Sequence, residues 1–173
     1  RFHLSTVDVA TGAAELLFNR DTLGWFDFDW SPDSSELVVS ANTSRDALLK
    51  SWKTDLFRVN LKTRKTQKIP NLPAGVKGAV CWSPDGKQIA YVGREGKEVW
   101  GVKNTRLYVC HPDRGRARDL TGDQDYCLSA ITLSDTAEAA FDEKILWSPD
   151  SRRILMNFGW QGQSHVSSID AEG

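Results

Sequence analysis

The residues able to act as nucleophile, base or metal ligand are few and scattered. Gly162-Gln163-Ser164-His165-Val166 approaches the G-x-S-x-G turn that exposes a catalytic serine, but valine fills the last position and the segment runs into a predicted strand rather than a helix. His3 and His165 fall at strand starts and His111 in a turn, positions at which a histidine packs or caps more readily than it works as a base. Cys81, Cys110 and Cys127 lack the C-x-x-C or Cys-His spacing that holds zinc. They read as free thiols in a reducing compartment, which predicts a cytoplasmic setting. Gly122-Asp123-Gln124-Asp125 opens like a calcium loop but has neither the further ligands nor the closing glutamate. Asp27 and Asp29 are too isolated for glycoside chemistry, which needs acidic pairs at a channel. No glycine-rich phosphate loop is present. Catalytic residues, metal and cofactor are therefore all expected to be none in this segment.

The aromatic residues carry more information. Of seven tryptophans, Trp30, Trp82 and Trp147 read as repeat core: they belong to a tetrapeptide, Trp-Ser-Pro-Asp, that occurs three times, at 30–33, 82–85 and 147–150. Seven residues after each Trp an apolar run begins: Leu37-Val38-Val39, Ile89-Ala90-Tyr91 and Ile154-Leu155-Met156. An apolar residue also sits two positions before each Trp (Phe28, Val80, Ile145), on the same side of an extended strand. Ser-Pro-Asp supplies a turn, since proline pre-sets φ and the Ser and Asp side chains bond nearby backbone N–H groups. A third strand follows with apolar pairs Leu4/Val7, Leu56/Val59, Leu107/Cys110 and Val166/Ile169. A fourth follows at Glu15–Phe18, Gln67–Ile69 and Arg118–Leu120.

Four short antiparallel strands in repetition are a propeller blade. The predicted fold class is all-β, a β-propeller fragment of four-stranded antiparallel blades with about three blades present. Its divisions are residues 1–20 (last two strands of a blade), 24–70 and 77–121 (blades) and 144–173 (an incomplete blade). Rings of this type close from ~4–8 blades, so the chain is expected to be a piece of a larger propeller, or alternatively to share a ring with a second chain. Uncovered terminal blades predict that it self-associates or aggregates in isolation.

The repeat spacing is uneven. Trp30 to Trp82 is 52 residues and Trp82 to Trp147 is 65. The lengthened connections are 40–55, 93–106 and 121–144, which follow the second or fourth strand of a blade and so emerge on one face. Loops that lengthen on one face of a rigid scaffold are where binding concentrates. Arg45, Trp52, Trp100 and Tyr126 are the candidate substrate or domain contacts of these loops. Trp52 and Trp100 have cationic neighbours (Lys50 and Lys53, Lys97 and Lys103); each either pins its own loop to the blade edge or anchors a partner. Trp25 and Trp160 flank strands where packing accounts for them.

Composition narrows the partners. A net charge of -1 argues against nucleic acid, and no run approaches the ~18 apolar residues of a membrane span. The basic clusters Lys62–Lys65 and Arg114–Arg118 straddle predicted turns. No signal peptide is visible at the start.

The Trp-Ser-Pro-Asp-Gly turn followed by an apolar strand resembles the PD40 or TolB-like propeller repeat. With Val99–Val109 and Arg116–Thr121 it is more similar to the N-terminal propeller of the prolyl oligopeptidase family of serine peptidases, in its acylaminoacyl-peptidase and dipeptidyl-peptidase-like branch. The resemblance implies a propeller that caps an α/β-hydrolase domain of the same parent chain and gates peptide substrates. No catalytic residue of that domain maps onto this sequence, and no adjacent Glu pair matches the one by which some members hold a peptide amino terminus. The alternative is a TolB-like, non-enzymatic interaction scaffold, which would be periplasmic.

Overall fold

The computed structural model describes residues 2–97, 103–122, 124, 125, 127, 128 and 143–172. Among them are thirteen strands and no helix. Strands β1 (Phe2–Val7) and β2 (Ala14–Asp21) form a two-stranded antiparallel sheet. Strands β3 (Asp27–Trp30), β4 (Glu36–Ala41), β5 (Asp55–Asn60) and β6 (Thr66–Lys68) form a four-stranded meander. So do β7 (Gly75–Trp82), β8 (Ile89–Glu95), β9 (Arg106–His111) and β10 (Gly115–Asp119). Strands β11 (Ile145–Trp147), β12 (Arg153–Trp160) and β13 (Gln163–Asp170) form the last sheet.

Strand alternation gives each inner sheet two apolar faces, and these faces stack. Val38, Leu56 and Ile69 of the second sheet meet Val80, Trp82, Ile89, Tyr91, Tyr108 and Cys110 of the third. Ala90, Val92, Leu107 and Val109 on the opposite face of the third sheet meet Ile145, Ile154 and Met156 of the fourth. Leu4, Leu17 and Phe18 close over Leu37, Val39, Phe57 and Val59. The Tyr91 and Tyr108 rings stack at 5.1 Å within the first of these contacts.

The Ser-Pro-Asp turns are copies of one another. Ser31, Ser83 and Ser148 each donate Oγ–H to the aspartate two residues on, at 2.6, 2.7 and 2.6 Å. The same hydroxyls accept N–H bonds from Glu36, Gln88 and Arg153 at 2.9–3.0 Å, opening the next strand. The fifth residue of each turn, Ser34, Gly86 or Ser151, has a left-handed φ of 57°, 72° or 59°. Glycine holds that geometry without strain, as the Trp-Ser-Pro-Asp-Gly copy does. The turns on the β3–β4 and β7–β8 connections meet the β9–β10 turn around a cleft of about 500 Å³, so these tight turns share one face.

The inner strands are tied across sheets. A bulge between Gly78 and Cys81 in β7 leaves two N–H groups facing β3. Asp29 accepts from Trp82 N at 2.8 Å, and Asp27 accepts from Val80 N at 3.0 Å. The indole of Trp147 donates to Cys81 O at 3.2 Å. The isolated carboxylates of the sequence are thus inter-sheet acceptors.

Three tryptophans depart from expectation. Trp82 is buried but Trp30 is half exposed, because β1 and β2 cover only the outer part of the second sheet and leave Phe28 and Trp30 of β3 open. Trp25 is 76% exposed rather than packed, and Trp160 is half exposed with its ring against His165.

Candidate functional site

The face opposite the tight turns carries the long connections. The 42–54 loop leaves β4 through Asn42, a fully buried residue. Its Nδ2 donates to Lys50 O at 2.7 Å and its Oδ1 accepts from Ser44 N at 2.9 Å. Its own N–H reaches the buried Asp21 carboxylate at 3.0 Å, and Thr22 Oγ1 donates to the Asn42 and Ser44 carbonyls. Residues 46–50 then form a turn, with Lys50 N bonded to Asp46 O and Lys50 Nζ 3.7 Å from the Asp46 carboxylate. Ala47 packs inward while Leu48 and Leu49 are 87% and 84% exposed. The ordered loop thus holds an apolar pair outward, away from the core.

The far end of the loop is held by Lys77. This residue is buried in β7, and its ammonium donates to Thr54 O at 2.9 Å and Gly75 O at 3.2 Å. Thr54 N also bonds Gly75 O. Gly75 allows the close approach, because a Cβ there would lie 1.9 Å from Arg94 O and its φ is +150°.

Trp52 is half buried, and the cation over its ring is Lys97, 5.7 Å from the centroid, not the neighbouring Lys50 or Lys53. The contact joins the 42–54 loop to the connection after β8. Arg45 is exposed on the same loop. Trp100 and Tyr126 lie outside the described residues, as does most of the 121–144 connection. Sequence reasoning missed Asp21, Asn42, Leu48, Leu49 and Lys77. The signals were present: adjacent leucines inside a connection too polar to be a strand, and a lysine interrupting the apolar run of β7.

At the third sheet a cleft of about 600 Å³ is lined by Arg94, Glu95, Lys103, Arg106, Asp119 and Asp125. Arg106 bonds Asp119 at 3.0 Å, and Asn104 Nδ2 donates to Asp125 Oδ1 at 3.3 Å. Opposite charges alternate around its wall, so it presents polar contacts rather than a field of one sign.

The other reactive-looking groups have structural roles. Gln161 and Gly162 are the left-handed pair of the β12–β13 hairpin, so Ser164 lies in a strand and not on a strand-to-helix turn. His165 stacks on Phe158 at 5.4 Å. His111 Nδ1 accepts from Asp113 N at 3.1 Å, the turn-capping task that Asp8 and Asn60 perform with side-chain oxygens. The three cysteines are free; burial pushes Cys81 and Cys110 up to about 12, which keeps both protonated. Among the described residues no group of His, Cys, Asp and Glu could hold a metal ion.

Stacked antiparallel sheets with inner strands tied across them define the class, a partial all-β propeller. TolB from Acinetobacter baumannii superposes with a TM-score of 0.69 at 15% identity, over 99% of this chain and 35% of that one. An oligogalacturonate lyase from Vibrio parahaemolyticus gives 0.65 at 14% identity, over 95% and 40%. In sequence, dipeptidyl-peptidase 5 of Porphyromonas gingivalis is 26% identical over 129 residues, 74% of this chain. The chain spans 17% of the length of that peptidase. No protein-family model matches it.

Proposed function

We propose that this chain is the substrate-gating and docking region of a peptidase propeller, acting on peptides in the acylaminoacyl- or dipeptidyl-peptidase manner. Its loop face would rest against an α/β-hydrolase domain of the same parent chain. The observation that carries the reading is that the ordered connections of that face present exposed apolar side chains: Trp25, Leu48 and Leu49, with the half-buried Trp52 on the same loop. Exposed aromatic and aliphatic anchors on ordered loops are the usual cores of domain contacts. The likeness to dipeptidyl-peptidase 5 supports a peptidase parent. Three free thiols support a cytoplasmic setting.

The chain itself supplies the surface and not the chemistry. A fluorophosphonate probe should label the full parent protein and leave the isolated 173 residues unlabelled. A parent reading frame without a downstream G-x-S-x-G segment and histidine would overturn the proposal. The likeness to TolB over nearly the whole chain favours a second reading, a non-enzymatic scaffold using the same face. The lyase of similar fold is a reminder that activity is decided by sites and not by architecture.

A further inference from the structure

The described residues contain one lysine that is buried, and it sits under the loop that carries the exposed leucines. Lys77 Nζ reaches Thr54 O, the last carbonyl of that loop, and Gly75 O, the carbonyl to which Thr54 N is also bonded. The opposite end is held through Asn42 by neutral hydrogen bonds and by the Asp21 carboxylate. The two ends therefore differ: one is fixed by the Asn42 network, the other by an ammonium taken out of water. Lifting residues 43–54 takes Thr54 O away from Lys77 Nζ.

We propose that Lys77 is the positioning residue of the 42–54 loop, and that exposure of its ammonium is coupled to loop opening, so that presentation of Leu48, Leu49 and Trp52 depends on protons. This refines the docking reading and rests on it for its functional meaning, though not for its measurement.

The direction follows from linkage. Burial pushes Lys77 down to about 8 from 10.5. The charged groups facing it are Asp55 of β5, Lys68 of β6 and Glu95 of β8, with the Cys110 thiol of β9. Asp55 is itself paired with Lys68 at 2.8 Å. With the loop closed, Lys77 loses its proton near pH 8; with it open, the solvated amine keeps its proton to about 10.5. Raising pH through that window therefore favours the closed loop, and below pH 8 the dependence flattens because both states are protonated. The loop is loosest at neutral and acidic pH and tightest in mild alkali.

Millisecond hydrogen exchange read by mass spectrometry on the peptide 43–54, corrected for intrinsic rates, tests this in the chain kept dilute enough to be monomeric by light scattering. Protection should rise roughly tens-fold between pH 7 and 10. In Lys77→Met, which cannot titrate, it should stay flat; Lys77→Arg, charged throughout, should be flat as well and serves if the methionine variant fails to fold by circular dichroism. A flat wild-type profile, or a rise retained in either folded variant, overturns the proposal. Because no partner enters the measurement, a failed docking reading with an intact pH linkage is distinguishable from the reverse.

Discussion

The two faces of the propeller are built by opposite rules. On the turn face, three copies of Ser-Pro-Asp repeat the same hydrogen bonds to within 0.1 Å. On the loop face the fixings do not repeat among the described residues: Asn42 and Lys77 hold the 42–54 loop, and its apolar tip is exposed. The turn face is determined locally, because each turn satisfies its own donors within a few residues. The loop face depends on contacts between distant segments, Asp21 with Asn42 and Lys77 with Thr54. Repetition marks the scaffold, and its absence marks the surface free to acquire a function.

If the turns are equal and only their coverage differs, their tryptophans should separate sharply. Trp82 lies buried between the second and third sheets, whereas Trp30 is half exposed. Trp82→Ala should cost about 3–5 kcal/mol and Trp30→Ala about half of that. Urea unfolding of the two variants measures the difference. Equal losses would mean that the copies are energetically alike and that the surroundings of β3 contribute little.

The loop clamp comes next in size. Asn42→Ala leaves Lys50 O and Ser44 N without side-chain partners in a partly buried place, and should cost roughly 1–2 kcal/mol. The same unfolding measurement applies. A loss below that of an ordinary surface change would mean that the loop is held by other contacts and that the faces differ less than their geometry does.

The turn carboxylates should respond together and weakly. Hydrogen bonds from Ser31 and Ser35 hold Asp33 down to about 2, below 3.8. Asp85 is lowered by Ser83 and Lys87 against its partial burial, and Asp150 by Ser148 and Arg152. A lowered folded value contributes stability above about pH 4 that is lost as pH falls toward 2. Asn substitution should reduce the acid sensitivity of the melting temperature by a small amount at each position, most at Asp33, which alone also accepts from a Ser35 hydroxyl. A larger effect at Asp85 or Asp150 than at Asp33 would break this ranking of the turns.

How much of this was legible in the sequence divides along the same line. Trp-Ser-Pro-Asp and the apolar run seven residues on announced β3 and β4, β7 and β8, and β11 and β12, because turn chemistry and period-2 alternation act over a few residues. The all-β propeller class followed from them. The loop face was located by spacing alone, and Trp52 was singled out on it. The cation over its ring was not legible, since Lys97 is distant in sequence and only the stacking of sheets brings it near. Trp30 was read as core because the motif is identical in each copy, while burial is set by the neighbouring sheet. Asp27 and Asp29 looked isolated for the same reason: their partners are backbone groups of β7.

The smallest expected effect on stability is the most informative about function. Leu48 and Leu49 cover no core, so Leu48→Glu with Leu49→Glu should change unfolding free energy by no more than about 0.5 kcal/mol. The same pair should sharply weaken association with the proposed hydrolase domain, because a charge at an apolar contact must be desolvated without a partner. Titration of the separately expressed domain against wild-type and variant chains, with Asp33→Asn as a turn-face control, reads this directly. Loss of binding in the leucine variant alone would separate the faces by role as well as by construction. Equal binding by all three chains would leave the loop face elaborated but unused for docking. A loss of stability in the leucine variant would instead make Leu48 and Leu49 part of the scaffold, and the contrast between the faces would then rest on the Asn42 and Lys77 clamps.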